Sequence, residues 1–470
     1  MTIIRYTIWE NNSASGSFGQ EDRRVKSLAH YRTTIGALGA LLALLLAACG
    51  GALPQPDAAQ LAALPTAAVH LADRSAVRVV PNGMPALATA TAPPTAPTVP
   101  AAPPTPTTQP IGPGGLAFPL KNDRLSFGVA AHLFYTDRDT PLAAAHDAGF
   151  GWVRQQIHWR DQEGPSGNYV WGDLDEIVDS VNAHGLKLLI SIVRSPTFYT
   201  ADGGDGLPSD PQSLGNFVAT LAEHYKGRVH AIEIWNEQNL AYENGGHVTE
   251  DDAGHYVELL KEAYTRIKAV DPGIYVLAGP PSSTAVNSPG VALSDERYYR
   301  AMYAYQNGII GHYFDIQAVH PGGSANPPDT MWPDNPSKAD GWTTDRTFYF
   351  RHIEDVRKLM EEYGLADHQI WITEFGWATQ NNTPGFEFGN QVTLDQQAEY
   401  IVGAMRRTRE HYPWVSNMFL WNLNFGPLKA QDGDPLNEQA SFGILNGDYS
   451  PRPSYLAIQR YLSELQVQGQ

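Results

Sequence analysis

From Leu116 onward the chain repeats one texture: a short apolar run, then a segment whose apolar residues recur every three or four positions. The runs are LSFGVAAHL (125–133), GWVRQQIHW (151–159), LKLLISIV (186–193) and VHAIEIW (229–235). They continue with IYVLAG (274–279), YFDIQAVH (313–320), QIWITEF (369–375) and NMFLWNL (417–423). Near-continuous apolar stretches of this length predict strands buried on both faces. Between them, Leu174, Ile177, Val178 and Val181 share one helix face, as do Val257, Leu260, Tyr264 and Ile267. Strands alternating with helices eight times predict a parallel sheet closed as a (β/α)8 TIM barrel over residues 116–466. A doubly wound open sheet is the competing arrangement, but no glycine-rich phosphate turn follows the first strand.

Upstream of Leu116 the texture changes twice. Residues 50–115 are dominated by Ala, Pro and Thr, as in ATATAPPTAPTVPAAPPTPTTQP. Such a stretch has too little large apolar surface to offset its ordering entropy, and its prolines favour extended conformations. It is expected to be a disordered spacer. Residues 1–49 end in the apolar run IGALGALLALLLAAC, preceded by Arg23, Arg24, Lys26 and Arg32. That run falls short of the about 20 residues of a membrane span and suits the core of a signal peptide. Leu46-Ala47-Ala48-Cys49 resembles the lipobox of bacterial lipoproteins, which implies lipidation of Cys49 and a mature chain tethered to a membrane on its outer side. An ordinary signal peptide cut near Ala48, or an uncleaved anchor, is the plainer alternative.

Composition narrows the function. Fifty acidic residues against 32 basic ones give a formal charge of −18. A nucleic-acid binder needs a basic footprint, so that class is excluded, and strongly anionic polysaccharides are disfavoured. Cys49 is the single cysteine, which rules out an intrachain disulfide and any cysteine cluster for zinc. Neither a His-x-His pair at the end of the first strand nor His-Glu-x-x-His occurs, so no metal site is expected. The chain is expected to be monomeric and to need no cofactor.

The barrel reading separates two copies of one tripeptide. Asn236-Glu237-Gln238 directly follows Ile232-Glu233-Ile234-Trp235 and so leaves the C-terminal end of the fourth strand, where barrels build their active sites. Asn437-Glu438-Gln439 follows Asp432, Gly433, Asp434 and Pro435, a turn-rich loop where the Glu438 carboxylate is expected to be solvated or at the cleft rim. Glu374, in QIWITEFGWAT, satisfies the strand-end rule at the seventh strand. Two carboxyls converging at a barrel mouth can hydrolyse a glycosidic bond, one protonating the leaving oxygen and the other attacking the anomeric carbon. At an effective dielectric near 20, charges about 5 Å apart repel by roughly 3 kcal/mol, about two pKa units. One of the pair should therefore keep its proton, and that role is assigned to Glu237.

Trp-Asn-Glu at the fourth strand with Thr-Glu-Phe-Gly-Trp at the seventh resembles the clan A glycoside hydrolases, in particular bacterial family 39-like and family 5-like enzymes. Ala148-Gly149-Phe150 with Trp152-Val153-Arg154, then WRDQEGPSGNYVW, and finally FGILNGDYSPRPSY are similar to other stretches of that clan. The resemblance implies a retaining mechanism with Glu237 as acid/base and Glu374 as nucleophile. It implies that Asn236 binds the hydroxyl beside the anomeric carbon and that Arg154 orients the nucleophile. His320 and Trp421 would line the subsite of the cleaved sugar, the tryptophan as a stacking platform. His132, Trp159 and Trp377, at or just past strand ends, are further candidates for sugar contact. Two positions depart from the clan: Gln238 replaces the usual proline after the acid/base, and Gly322-Gly323 stand where a tyrosine often follows the sixth-strand histidine. Glu233 and Asp315, inside strands, are expected to be paired structural charges.

The expected function is thus a surface-tethered bacterial glycoside hydrolase acting on a β-linked poly- or oligosaccharide. A carbohydrate-binding barrel without turnover and a transglycosylase with the same site are the alternatives. The first stays open because of the missing tyrosine.

Overall fold

The computed structural model describes residues 124–468. The expected leader over 1–49, Cys49 and its lipidation, the spacer over 50–115 and the first residues of the 116–466 domain lie outside the described residues. Eight parallel strands close into a barrel: β1 (Ser126–Ala130), β2 (Trp152–His158), β3 (Lys187–Val193), β4 (Ala231–Ile234), β5 (Tyr275–Ala278), β6 (Ile316–Val319), β7 (Gln369–Phe375) and β8 (Val415–Leu420). Each pairs with its neighbour in chain order, and β8 closes onto β1 with Ser126 opposite Asn417. Seven of the eight apolar runs named above contain a whole strand, and β8 begins two residues ahead of its run, at Val415. Eight principal helices follow them: α1 (Asp139–Asp147), α2 (Gly172–Ala183), α3 (Pro211–His224), α4 (Glu250–Val270), α5 (Asp295–Ala304), α6 (Ile353–Glu362), α7 (Leu394–His411) and α8 (Pro453–Val467). None of the described helices is long and apolar enough to cross a membrane.

The helices start where side chains can satisfy their free N–H groups. Thr249 and Asp252 form a capping box on α4, Thr393 and Gln396 one on α7, and the Asp210 carboxylate accepts from Gln212 ahead of Pro211 on α3. The inward faces fit their periodicity: Leu174, Ile177, Val178 and Val181 of α2 are all fully buried against the sheet. A second apolar cluster fills the barrel lumen, where Trp152, Leu189, Ala231, Leu277, Ile316, Ala318, Trp371 and Phe419 interlock. Strand alternation explains the division, because every second side chain points into the lumen and the others face the helices. This plug closes the floor and leaves the mouth at the C-terminal ends of the strands for polar groups.

Candidate active site

Arg154 stands two residues above Trp152 on β2, so it shares the inward face and rises from the apolar plug. Its guanidinium is buried and makes every contact that the geometry offers. Nε and Nη2 donate to Glu233 Oε1 at 3.1 and 2.6 Å, Nη2 also to Asn236 Oδ1 at 2.8 Å and Ser191 Oγ at 3.2 Å, and Nη1 to Glu374 Oε1 at 2.7 Å. Glu233 is fully buried on β4, and its paired charge is what anchors the arginine. The buried charges are tolerable here because the fork gives each carboxylate a charge-assisted bond, although Glu233 Oε2 has no hydrogen-bond partner.

The two candidate acids reach the mouth by departures from regular strand geometry. On β7, Ile372 pairs with Met418 but Phe375 pairs with Leu420, so three steps on β7 match two on β8. The extra residue is a bulge at Thr373-Glu374, which allows both of these consecutive residues to engage the same histidine. On β4 the alternation ends at Trp235, whose φ is +68°, and Glu237 follows with φ of +50°. Left-handed backbone at two non-glycine residues is strained, and it persists because the turn is pinned on all sides. The Glu237 N–H donates to Pro280 O at 2.8 Å, and Asn239 exchanges bonds with both backbone groups of Ser282. Gln238, standing where the clan usually has proline, is fully buried and donates to Gly279 O at 2.8 Å. A Cβ on Gly279 would lie 2.4 Å from Ile234 O, so only glycine lets β5 approach this turn. Gly376 does the same after β7, where a Cβ would meet Trp421 O at 2.4 Å.

His320, the first residue past β6, joins the two acids. Its Nδ1 lies 3.1 Å from Glu237 Oε1, and its Nε2 lies 3.0 Å from Thr373 Oγ1 and 3.9 Å from Glu374 Oε1. One imidazole ring spanning both carboxyls keeps those oxygens within about 9 Å of each other, inside the range of acid pairs that flank a glycosidic bond. Burial pulls the His320 pKa down, with Glu374 opposing and Arg154 assisting. Burial pushes Glu374 above the usual carboxylate range. His320 and Arg154 resist that shift, and the charges of Glu237 and Glu233 add to it.

Of the remaining candidates, Trp421 stays partly exposed at the mouth, its ring 5.0 Å from Phe425. His132 flanks the same corner: its backbone exchanges bonds with Asn424, its ring is 6.1 Å from Phe425, and burial lowers its pKa to about 4. Two expectations need correction. Trp159 is fully buried, stacked between Tyr199 and Phe217 with its Nε1 on Glu163, and so has no face for a sugar. Trp377 is likewise buried, donating to Asn326 O and packed by Phe350 and Tyr400. Both rings turn back into the sheet–helix layer, a direction that position at a strand end does not reveal.

Glu438 is corrected as well. It is buried, not solvated: the Thr383 hydroxyl donates to it at 2.8 Å, and burial raises its pKa. Asn437 caps the short helix Glu438–Phe442, so the second tripeptide is a helix start far from Arg154 in function if not in spelling. Glu233 and Asp315 are paired as expected, the latter with Lys268 at 2.6 Å. Among the described residues no tyrosine hydroxyl bonds Glu374, and Tyr313 packs outside the lumen against Tyr264. Nor do the described residues contain a group of three or more His, Cys, Asp or Glu that could hold a metal ion. Three participants were not singled out from the chain: Ser191 and Thr373, each two residues beyond a lumen-filling residue of its strand, and Glu243, whose pKa burial pushes up to about 7 against the opposing charge of Arg194.

The chain shares the fold of its closed eight-stranded barrel with several solved glycoside hydrolases. It is similar to a family 39 glycoside hydrolase from the gut symbiont Bacteroides cellulosilyticus WH2, with 24% identity, 74% of this chain and 66% of that one covered, and a TM-score of 0.55. The chain thus spans just under two thirds of that structure's length. It is also similar to a glucosidase from Croceicoccus marinus (15% identity, 74% and 69% covered, TM-score 0.52) and to a GH5 enzyme from Streptomyces cattleya in complex with Manb1-4GlcNAc (15%, 73% and 81%, 0.52). No family model and no curated protein matches the chain.

Proposed function

We propose that the protein is a retaining glycoside hydrolase acting on a β-linked glycan. Glu374 attacks the anomeric carbon while Glu237 gives its proton to the departing oxygen. Glu237 then takes a proton from water as that water displaces Glu374 from the sugar. Arg154, seated on Glu374, favours the ionised nucleophile. Asn236, held by the same guanidinium, is placed to bond the neighbouring hydroxyl, and Trp421 supplies an apolar face to the ring. The observation that carries this reading is the single connected unit Glu237–His320–Glu374–Arg154 at the C-terminal mouth of the barrel. Retention rests on the resemblance to the clan, since the bound of about 9 Å also admits an inverting pair. Transfer to a sugar acceptor would use the same covalent intermediate.

Gly322-Gly323, standing where a tyrosine often follows the histidine, keep open the second reading, a barrel that binds glycan without cleaving it. A glycan-array hydrolysis screen of the 114–470 fragment beside Glu237→Gln and Glu374→Ala decides between them. Turnover by the parent alone, each variant being at least about a hundredfold slower, is the enzymatic result. Binding by all three without product would establish the second reading. The leader supports display on the outer side of a membrane through lipidated Cys49. Metabolic labelling with a radioactive fatty acid should mark the parent and not Cys49→Ala, and equal labelling would refute the anchor.

A further inference from the structure

We infer that Tyr242, Glu243 and Arg194 form a subsite for a sugar on the leaving-group side of the cleft, so that the substrate is a saccharide chain rather than a glycoside of a small alcohol. This rests on the glycosidase reading above. Arg194 is the first residue past β3 and takes a left-handed φ of +61°. That turn sends its buried guanidinium across to the loop after β4, where Nη1 donates to Tyr242 O at 3.0 Å. Nη1 also lies 3.4 Å from Asp205 Oδ1, and Nη2 lies 3.4 Å from Glu243 Oε1. The guanidinium sits 3.9 Å from the centre of the Tyr242 ring and covers one face. The tyrosine is nonetheless 39% exposed, so it keeps surface that a ligand can cover.

Such a ring, held rigid from behind by a cation, suits the apolar face of a pyranose. Beside it Glu243 holds a buried Oε2 without a hydrogen-bond partner. An unsatisfied buried acceptor costs about 1–3 kcal/mol, and a sugar hydroxyl would satisfy it. The loop is firmly placed: Trp235 Nε1 donates to Glu243 O at 3.0 Å, and Leu240 N to Glu237 O at 2.9 Å. It therefore runs directly from the proposed proton donor, and the leaving oxygen that Glu237 protonates carries its sugar toward that side. Asp205 is shared by Arg194 and Arg160, and Glu243 also faces Arg194, so each cation has a carboxylate beside it and the subsite suits a neutral sugar.

The test compares kcat/KM on β-linked trisaccharides of glucose, mannose and xylose with that on the matching β-glycosyl fluorides, whose leaving group is one atom. Tyr242→Ala and Glu243→Ala should each lower the trisaccharide-to-fluoride ratio at least about tenfold. Tyr242→Phe, which keeps the platform, should hold that ratio within about twofold of the parent's. Thermal melts confirm that each variant is folded. A ratio unchanged in both alanine variants overturns the subsite, as does a parent that cleaves fluorides but no trisaccharide, while the glycosidase reading survives either result. A parent inert on every substrate removes that reading and the subsite with it.

Discussion

Arg154→Lys separates orientation of the nucleophile from simple charge balance. The guanidinium makes five bonds to four side chains, two of them to the fully buried Glu233 and one to Glu374. An ammonium on a shorter stem has three donors and no planar fork, so it cannot reach Glu233 on β4 and Glu374 on β7 together. Pairing with Glu233 wins, because leaving that buried carboxylate alone would cost about 3–5 kcal/mol. The fold should therefore survive, and the bond to Glu374 is the one surrendered. A hydrogen bond to a charged group contributes about 1.5–3 kcal/mol, which corresponds to a loss of roughly ten- to a hundredfold in kcat. Because substrate does not touch Arg154 in this scheme, KM should change little. Initial rates over a range of substrate concentration, with a thermal melt on the same sample, give both quantities. A folded Arg154→Lys protein with kcat within about twofold of the parent would refute the orienting role.

Two other outcomes follow from the electrostatics. Burial raises the Glu374 pKa, and only its ionised form can attack. The acidic limb of the kcat/KM profile should then fall at a pH above 4.5, the ordinary value for this group, and a limb at or below it would contradict the assignment. Outside the site, His352 lies 2.6 Å from Asp295 and 3.1 Å from Asp355, with Arg346 also on Asp355. Burial opposes its charge, but the two aspartates prevail and raise its pKa from 6.5 to about 10. Stability from the charged ring is thus complete below pH 6.5 and is lost as pH rises through about 10. The melting-temperature gap between parent and His352→Gln should be widest near pH 6 and narrow toward pH 10; a gap independent of pH would exclude the ion pair as its source.

What the chain determined alone was the barrel and the address of its chemistry. Eight apolar runs separated by amphipathic segments have few ways to bury themselves, and parallel closure puts every strand's C-terminal end at one mouth. Glu237 and Glu374 were legible because each lies at such an end, whereas Arg154, the third residue of β2, and His320, the first past β6, were singled out by the resemblance. Tertiary structure decided everything that depends on direction beyond the strands. Trp159 and Trp377 sit within two residues of strand ends, as Trp421 does, yet turn back into the hydrophobic layer. The β7 bulge and the two left-handed residues at the β4 exit aim the acids, and neither is written in hydropathy because both arise from contacts with neighbouring strands. Asn-Glu-Gln spells a buried strand-end acid once, the proposed proton donor, and a helix cap once; their partners, His320 in one case and Thr383 in the other, lie more than fifty positions away.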